Sequence, residues 1–247
     1  MPERRLRLVT WNVWFGQWRR EERQAALWAE IERLEPDVVC LQEVVPEHLA
    51  GPEIERLRAR GWWVSDEALY DYDVVVLSRV PVRSSERMPL PSMMGRELLT
   101  SWLAGEPPLI VATVHLESTA EMTEFRLVQL EQISSRLESE RDIVLVGDMN
   151  FPAEPDRPES AALADWTDAW AQVRGDEPGY TIDTTVNRMR WLAKRKHDHR
   201  RIDRVFVRSD RWRVEAIEIV GTTPLPGDPL TFVSDHLGLC ADLVADG

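Results

Sequence analysis

Several strand-length stretches of this chain are apolar almost without interruption: DVVCLQEV (residues 37–44), DVVVLS (73–78), LIVATVHLE (109–117), IVLVGDMNF (143–151) and RIDRVFVR (201–208). Runs of this length, rich in Val, Ile and Leu, read as buried strands. Between them lie stretches with helical periodicity. Trp28, Ile31 and Leu34 recur at helical spacing in REERQAALWAEIERLEPD, which Pro36 closes. EMTEFRLVQLEQISSRLESE (121–140) is the clearest amphipathic helix. Further helices are expected over 53–60 and 161–173, and further strands over 5–14, 98–103, VEAIEIV (214–220) and FVSDHLGLCADL (232–243). A loop rich in Pro and Met covers 88–95. Strands and helices mix throughout, without a repeat or a long linker, so the economical reading is one α/β domain over residues 1–247.

The strand-like runs share a second property: polar side chains end or interrupt them. TWN delivers Asn12, LQEV delivers Glu43, TVHLES delivers His115, VGDMN delivers Asp148 and Asn150, RIDRVFV delivers Asp203 and SDHLGL delivers Asp235 and His236. Each is set among Val, Leu, Ile or Trp, and burying a charge costs several kcal/mol unless it is paired or binds a metal. On a strand, residues i and i+2 share a face, so Asp148 and Asn150 are expected to project together. Singly, each has an ordinary explanation. Asn12 suits a turn, Glu43 a strand edge, Asp148 with Asn150 an Asx turn, His115 a satisfied half-buried position and Asp203 a surface ion pair with Arg201 or Arg204. Together they suggest one polar centre.

Composition narrows the classes. The 43% hydrophobic content supports a full core, and 43 acidic against 30 basic residues give a net charge of −13, which argues against general affinity for nucleic acid. One window departs from that average: RMRWLAKRKHDHRRIDR (188–204) holds eight Lys or Arg and one Trp. It is read either as a solvated charged loop or as a lid whose cations meet a phosphate backbone while Trp191 stacks on a base. The N-terminus moves from charge straight into a strand, so no signal peptide is expected, and no apolar run reaches the length of a membrane span. Cys40 and Cys240 sit in apolar runs and are expected to be buried thiols in a reducing cytoplasm.

In order, Asn, Glu, His, Asp-x-Asn, Asp and Asp-His resemble the endonuclease/exonuclease/phosphatase superfamily, the metal-dependent phosphodiesterases and phosphatases that include exonuclease III-like and DNase I-like enzymes. TWN, LQEV, GDMN and SDHLGL carry the likeness. HLEST (115–119), YTIDT (180–184) and RIDRVFVR resemble the 5′-tyrosyl-DNA phosphodiesterases, although Ile182 stands where those enzymes usually have Trp. The resemblance implies a four-layered α/β/β/α sandwich of two mixed sheets. It implies a phosphodiesterase acting at nucleic-acid ends, in DNA repair, with Mg²⁺ or Mn²⁺ as cofactor, no membrane partner, and a cytoplasmic monomer.

Carried onto these residues, it makes Glu43, Asn12 and Asp235 the metal-side residues, since oxygen donors suit a hard cation. Asp148 becomes the general base, with Asn150 orienting the water or the phosphate. His236, paired with Asp203, and His115 become donors to the phosphate. Ser118, Trp191, Lys194, Arg195 and Lys196 are candidate substrate contacts. Trp14 stands where the family often has an acid, and Pro152 where nearer relatives carry an Arg. Two other readings remain: a phosphatase or phosphodiesterase for a small or lipid phosphoester, and a nucleic-acid-binding module that has lost catalysis.

Overall fold

The computed structural model describes residues 3–65 and 72–245. Two six-stranded sheets carry the described residues. In the first the order is β13 (Trp212–Val220), β14 (Gly238–Ala245), β1 (Arg4–Asn12), β2 (Val38–Val44), β4 (Asp73–Ser78) and β3 (Trp63–Val64). In the second it is β5 (Val82–Pro89), β6 (Glu97–Leu103), β7 (Leu109–His115), β8 (Ile143–Asp148), β12 (Asp203–Arg208) and β9 (Thr167–Asp168). A separate two-stranded ribbon pairs β10 (Ile182–Asp183) with β11 (His199–Arg200). The helices are α1 (Arg20–Leu34), α2 (Pro46–Leu49), α3 (Pro52–Ala59), α4 (Thr123–Leu137), α5 (Pro158–Ala162), α6 (Ala169–Arg174) and α7 (Met189–Lys194). None of the described helices is long and apolar enough to cross a membrane.

The uninterrupted apolar runs follow from this layering, because their strands are covered on both faces. Along β2 and β4, Val38, Cys40, Val74 and Val76 point between the sheets, where they meet Val111, Val144, Val146 and Val205. Their neighbours Val39, Leu41, Val75 and Leu77 point outward onto Leu27, Trp28 and Ile31 of α1. The second sheet mirrors this: Ile110, Ala112, Ile143 and Leu145 face outward onto Leu130, Ile133 and Leu137 of α4. Burying each such Leu or Ile is worth about 1.5–3 kcal/mol. The result is the expected four-layered α/β/β/α sandwich. Both cysteines are free and buried.

Each sheet contains one parallel pair, β1 with β2 and β7 with β8, joined by α1 and α4 respectively. Crossovers of this kind bring the C-terminal ends of both strands to the same edge. Register then aligns side chains across strands. His115 lies opposite Asp148, and Asp148 lies opposite Asp203 on antiparallel β12.

Three local expectations change. The helix expected over 161–173 is two helices, α5 and α6, because Thr167 and Asp168 between them pair with the edge of β12. Asp168 then caps α6 by accepting from the Trp170 backbone N–H at 3.0 Å. The polar segment over Val82–Pro89, read as no element, is the edge strand β5, where charged residues are tolerated. The strand expected over 232–243 starts only at Gly238, so Asp235 and His236 lie in the loop before β14.

Candidate active site

Asp148 ends β8 and stands at the centre of the polar cluster. Gly147 before it has φ of +134°, and a Cβ there would lie 1.9 Å from the Val114 carbonyl oxygen. Only glycine fits that close approach of β7. After Asp148 the strand stops. Asn150 adopts φ of +56°, and its backbone N–H donates to Asp148 Oδ1 at 2.9 Å. The two side chains therefore do not share a strand face; an Asx turn brings them together. Asn150 Nδ2 donates to the Leu116 carbonyl at 2.9 Å and to Ser118 Oγ at 3.3 Å, tying this turn to the end of β7.

Asn12, fully buried, joins the two sheets. Its Nδ2 donates to Glu43 Oε1 at 3.0 Å and to Asp148 Oδ2 at 2.9 Å, while its Oδ1 accepts from the Trp14 backbone N–H at 3.0 Å. Glu43 sits at a register irregularity of β2 with φ of +59°, a conformation costing a non-glycine residue about 1–3 kcal/mol. Its second oxygen accepts from the Phe15 backbone N–H at 3.1 Å. Burial, and next the charge of Asp235, push the Glu43 carboxyl above its ordinary value.

His236 reaches the same point from the first sheet. Trp11, wholly buried against Gly221 and Gly238, donates its indole N–H to the His236 carbonyl at 3.0 Å. Ser234 Oγ donates to the Asn12 carbonyl and accepts from the His236 backbone N–H. Thr181 of YTIDT staples the two sheets beside it: its hydroxyl accepts from the Ile202 and Asp203 backbone N–H groups, and its carbonyl from that of Leu237. His236 Nδ1 lies 2.8 Å from Asp203 Oδ2, and its Nε2 lies 4.0 Å from Asp148 Oδ2. Burial alone would favour the neutral ring, but Asp203 and Asp148 outweigh it and raise His236 to about 10.

His115 takes the opposite state. Arg96 Nη1, which can only donate, lies 2.9 Å from His115 Nδ1, so the ring proton sits on Nε2, 3.4 Å from Asp148 Oδ2. Burial, and then the Arg96 charge, hold His115 well below its ordinary value. Asp148 is thus flanked by a neutral and a cationic imidazole, while its own carboxyl is pushed up by burial and by Asp203.

Asp148, Asp203 and His236 each offer an atom within 4.8 Å of one another, a spacing that could hold an ion. The Asp203 bond takes up Nδ1 of His236 and leaves Nε2 turned toward Asp148. The Glu43 and Asp235 side suits a cation better. Asp235 Oδ1 is buried without a hydrogen-bond partner, two like charges approach there, and oxygen donors match a hard divalent ion.

Asn12, Glu43, His115, Ser118, Asp148, Asn150, Asp203 and His236 are therefore linked into one cluster. Asp235 adjoins it, and Arg190 of α7 reaches Asp235 Oδ2 at 3.3 Å. Trp191, Lys194, Arg195 and Lys196 lie further along α7 and just past its end. Trp191 is half-buried between the Arg188 and Arg195 guanidinium groups, at 4.8 and 5.0 Å from its ring. Lys194, Arg195 and Lys196 are exposed and are not part of the hydrogen-bonded cluster. Sequence reasoning missed Arg96 and the aromatic pair Phe15 and Tyr72, stacked at 4.8 Å with Arg96 over Tyr72 at 5.3 Å, and had Arg190 only as one cation of the basic window. No local spacing marks them.

A four-layered sandwich with carboxylate, amide and imidazole groups converging where its parallel strands end is the DNase I-like class of fold. The chain belongs to the endonuclease/exonuclease/phosphatase family, whose sequence profile matches residues 9–236. Among curated relatives, mouse tyrosyl-DNA phosphodiesterase 2 is 29% identical over 95% of this chain, and the chicken protein is 29% identical over 94%. The chain spans 65% of the length of each. Among solved structures, zebrafish (D. rerio) TDP2 complexed with a single-strand DNA product matches with a TM-score of 0.80 and 24% identity, covering 97% of this chain and 98% of that one. A family member from Beutenbergia cavernae matches with a TM-score of 0.71 and 25% identity, covering 99% and 72%.

Proposed function

We propose that the protein is a divalent-metal-dependent phosphodiesterase that hydrolyses the ester between a DNA 5′ phosphate and a tyrosine. The observation that carries this reading is the pair of histidine rings whose Nε2 atoms lie 3.4 and 4.0 Å from Asp148 Oδ2. A phosphodiester attacked by water needs a base for the water and fixed donors for the charge that develops on the phosphoryl oxygens. Asp148 Oδ2 takes the proton from the water, held in place by Asn12. The His236 imidazolium, oriented through Nδ1 by Asp203, presents Nε2–H to one nonbridging oxygen. His115 Nε2–H serves another.

Ser118 adds a third donor. Its Oγ accepts from Arg96 Nη2 at 2.8 Å and from Asn150 at 3.3 Å, which leaves its own proton for the phosphate. Glu43 and Asp235 would hold Mg²⁺ or Mn²⁺, which supplies charge neutralisation to the phosphoryl group. The family membership and the likeness to the tyrosyl-DNA phosphodiesterases support the substrate class; we take the protein to act in DNA repair as a cytoplasmic monomer.

The test is release of tyrosine from a 5′-phosphotyrosyl oligonucleotide with and without Mg²⁺. The expected result is cleavage that EDTA stops and Asp148→Asn lowers at least about a hundredfold with melting behaviour retained. Equal rates for wild type and Asp148→Asn would overturn the reading.

A further inference from the structure

The segment Pro91–Gly95 is held with unusual firmness for a surface loop. Glu117, a carboxylate with no exposed surface, commits both oxygens to it: Oε2 accepts from Ser92 Oγ, and Oε1 from the Met93 backbone N–H at 3.0 Å. Gln129 of α4, also fully buried, reinforces the arrangement by accepting from the Glu117 N–H at 2.9 Å and donating to the Pro91 carbonyl at 2.9 Å. Ser92 Oγ accepts in turn from the Met94 N–H, and Met94 Sδ receives Arg96 Nη2 at 3.5 Å. Yet what this scaffold holds out is Met93, 73% exposed. A buried carboxylate costs several kcal/mol unless it is fully bonded, so much structure goes into fixing the backbone that presents one apolar side chain to solvent. Loops that merely connect do not need this.

The position is next to the chemistry. Glu117 lies two residues after His115 and precedes Ser118, and Arg96, at the base of the segment, touches both His115 and Ser118. Arg96 also lies over the ring of Tyr72, which stacks on Phe15. On the Asp235 side, by contrast, α7 leads into exposed Lys194, Arg195 and Lys196. A polyanionic strand is drawn to the cationic side. The uncharged remainder of the substrate then lies on the other.

We propose that Met93 is a specificity residue for the leaving side of the substrate, packing against the polypeptide that flanks the scissile tyrosine. This rests on the function proposed above. Methionine suits such a contact, because its flexible, polarisable side chain accommodates flanking residues of varied sequence. Glu117 and Ser92 act as positioning residues that keep it in place.

The experiment compares two substrates on one 5′-phosphorylated oligonucleotide. In one the leaving group is p-nitrophenol; in the other it is tyrosine within a pentapeptide. Met93→Glu is expected to raise KM for the peptide substrate roughly tenfold, the loss of one buried apolar contact, with kcat/KM on the p-nitrophenyl ester within about twofold of wild type. Ser92→Ala, which frees the tip, is expected to move peptide KM in the same direction by a smaller factor. Unchanged peptide KM in Met93→Glu, or equal losses on both substrates, overturns this inference while leaving the proposed function standing. A wild-type protein that cleaves neither ester overturns both.

Discussion

Removing the Asn12 side chain probes the centre of the site most directly. Its Nδ2 bridges Glu43 and Asp148 with two charge-assisted hydrogen bonds of 3.0 and 2.9 Å from a fully buried amide. A hydrogen bond to a charged group is worth about 1.5–3 kcal/mol net. Asn12→Ala therefore forfeits about 3–6 kcal/mol at most, and water entering the vacated space reduces this toward about 3 kcal/mol. For a chain of this size each kcal/mol moves the melting temperature by about 2–4 °C, so the expected drop is roughly 6–12 °C in EDTA at pH 7. Hydrolysis of bis-p-nitrophenyl phosphate is expected to fall about 10²- to 10³-fold, because Asp148 loses its orientation.

A double-mutant cycle separates charge from packing. Asp148→Asn keeps the shape and removes the charge, so Asn12→Ala in that background should cost at least about 1 kcal/mol less than in the wild type. Chemical denaturation of the four proteins measures this. Strict additivity, or an Asn12→Ala penalty below about 1 kcal/mol, would refute the idea that Asn12 bridges the Glu43 and Asp148 carboxyl groups.

Further outcomes follow from the same geometry. His236, whose burial is outweighed by Asp203, keeps its proton to about 10, so its contribution to stability is complete below the ordinary imidazole value near 6.5 and is lost as pH rises through about 10. Asp203→Asn should therefore move the basic limb of the kcat/KM profile from about 10 toward neutrality; a limb that stays at 10 would rule out Asp203 as its cause. Gly147→Ala, which drives a Cβ to 1.9 Å from the Val114 carbonyl at φ of +134°, should cost more than about 4 kcal/mol and yield little folded protein by circular dichroism. Neutralising Lys194, Arg195 and Lys196 together should flatten the salt dependence of oligonucleotide binding by up to three phosphate contacts. An unchanged slope in fluorescence anisotropy would reduce α7 to a solvated helix.

Much of this architecture was legible because local pattern and global packing agree. The continuous runs through Val38–Leu41, Val74–Leu77 and Val144–Val146 are apolar on both faces since each strand has a second sheet on one side and α1 or α4 on the other. Asn12, Glu43, His115 and Asp148 were legible as polar residues in apolar strands, a local conflict that a fold tolerates where function demands it. What escaped was set by long-range contact. Arg96 belongs to the site only because β6 pairs with β7 and delivers its guanidinium to His115, and nothing around residue 96 records that. The helix expected over 161–173 broke because an edge of β12 was available to Thr167 and Asp168. The shared strand face expected for Asp148 and Asn150 failed for a local reason, the left-handed turn at Asn150, yet the turn brought the same two residues together.

Trp14 serves the site through its backbone: its N–H donates to Asn12 Oδ1. The indole is turned onto the Arg23 guanidinium, 4.5 Å from its ring centroid, and lines a hollow of about 470 Å³ with Trp18, Met189, Leu192 and Leu230. Arg23, itself buried, holds that loop from beneath by donating to the carbonyls of Val13, Trp14, Gly16 and Trp18, and links it to the Val233 carbonyl three residues before His236. Trp14 therefore leaves the positioning of Asn12 and His236 intact. With Glu43 and Asp235 holding the cation as proposed, Glu43→Gln should abolish Mg²⁺-dependent hydrolysis without abolishing the fold. If Glu43→Gln retained activity at low Mg²⁺, the cation would have to lie elsewhere, and the Asp148, Asp203 and His236 trio would be the place to look.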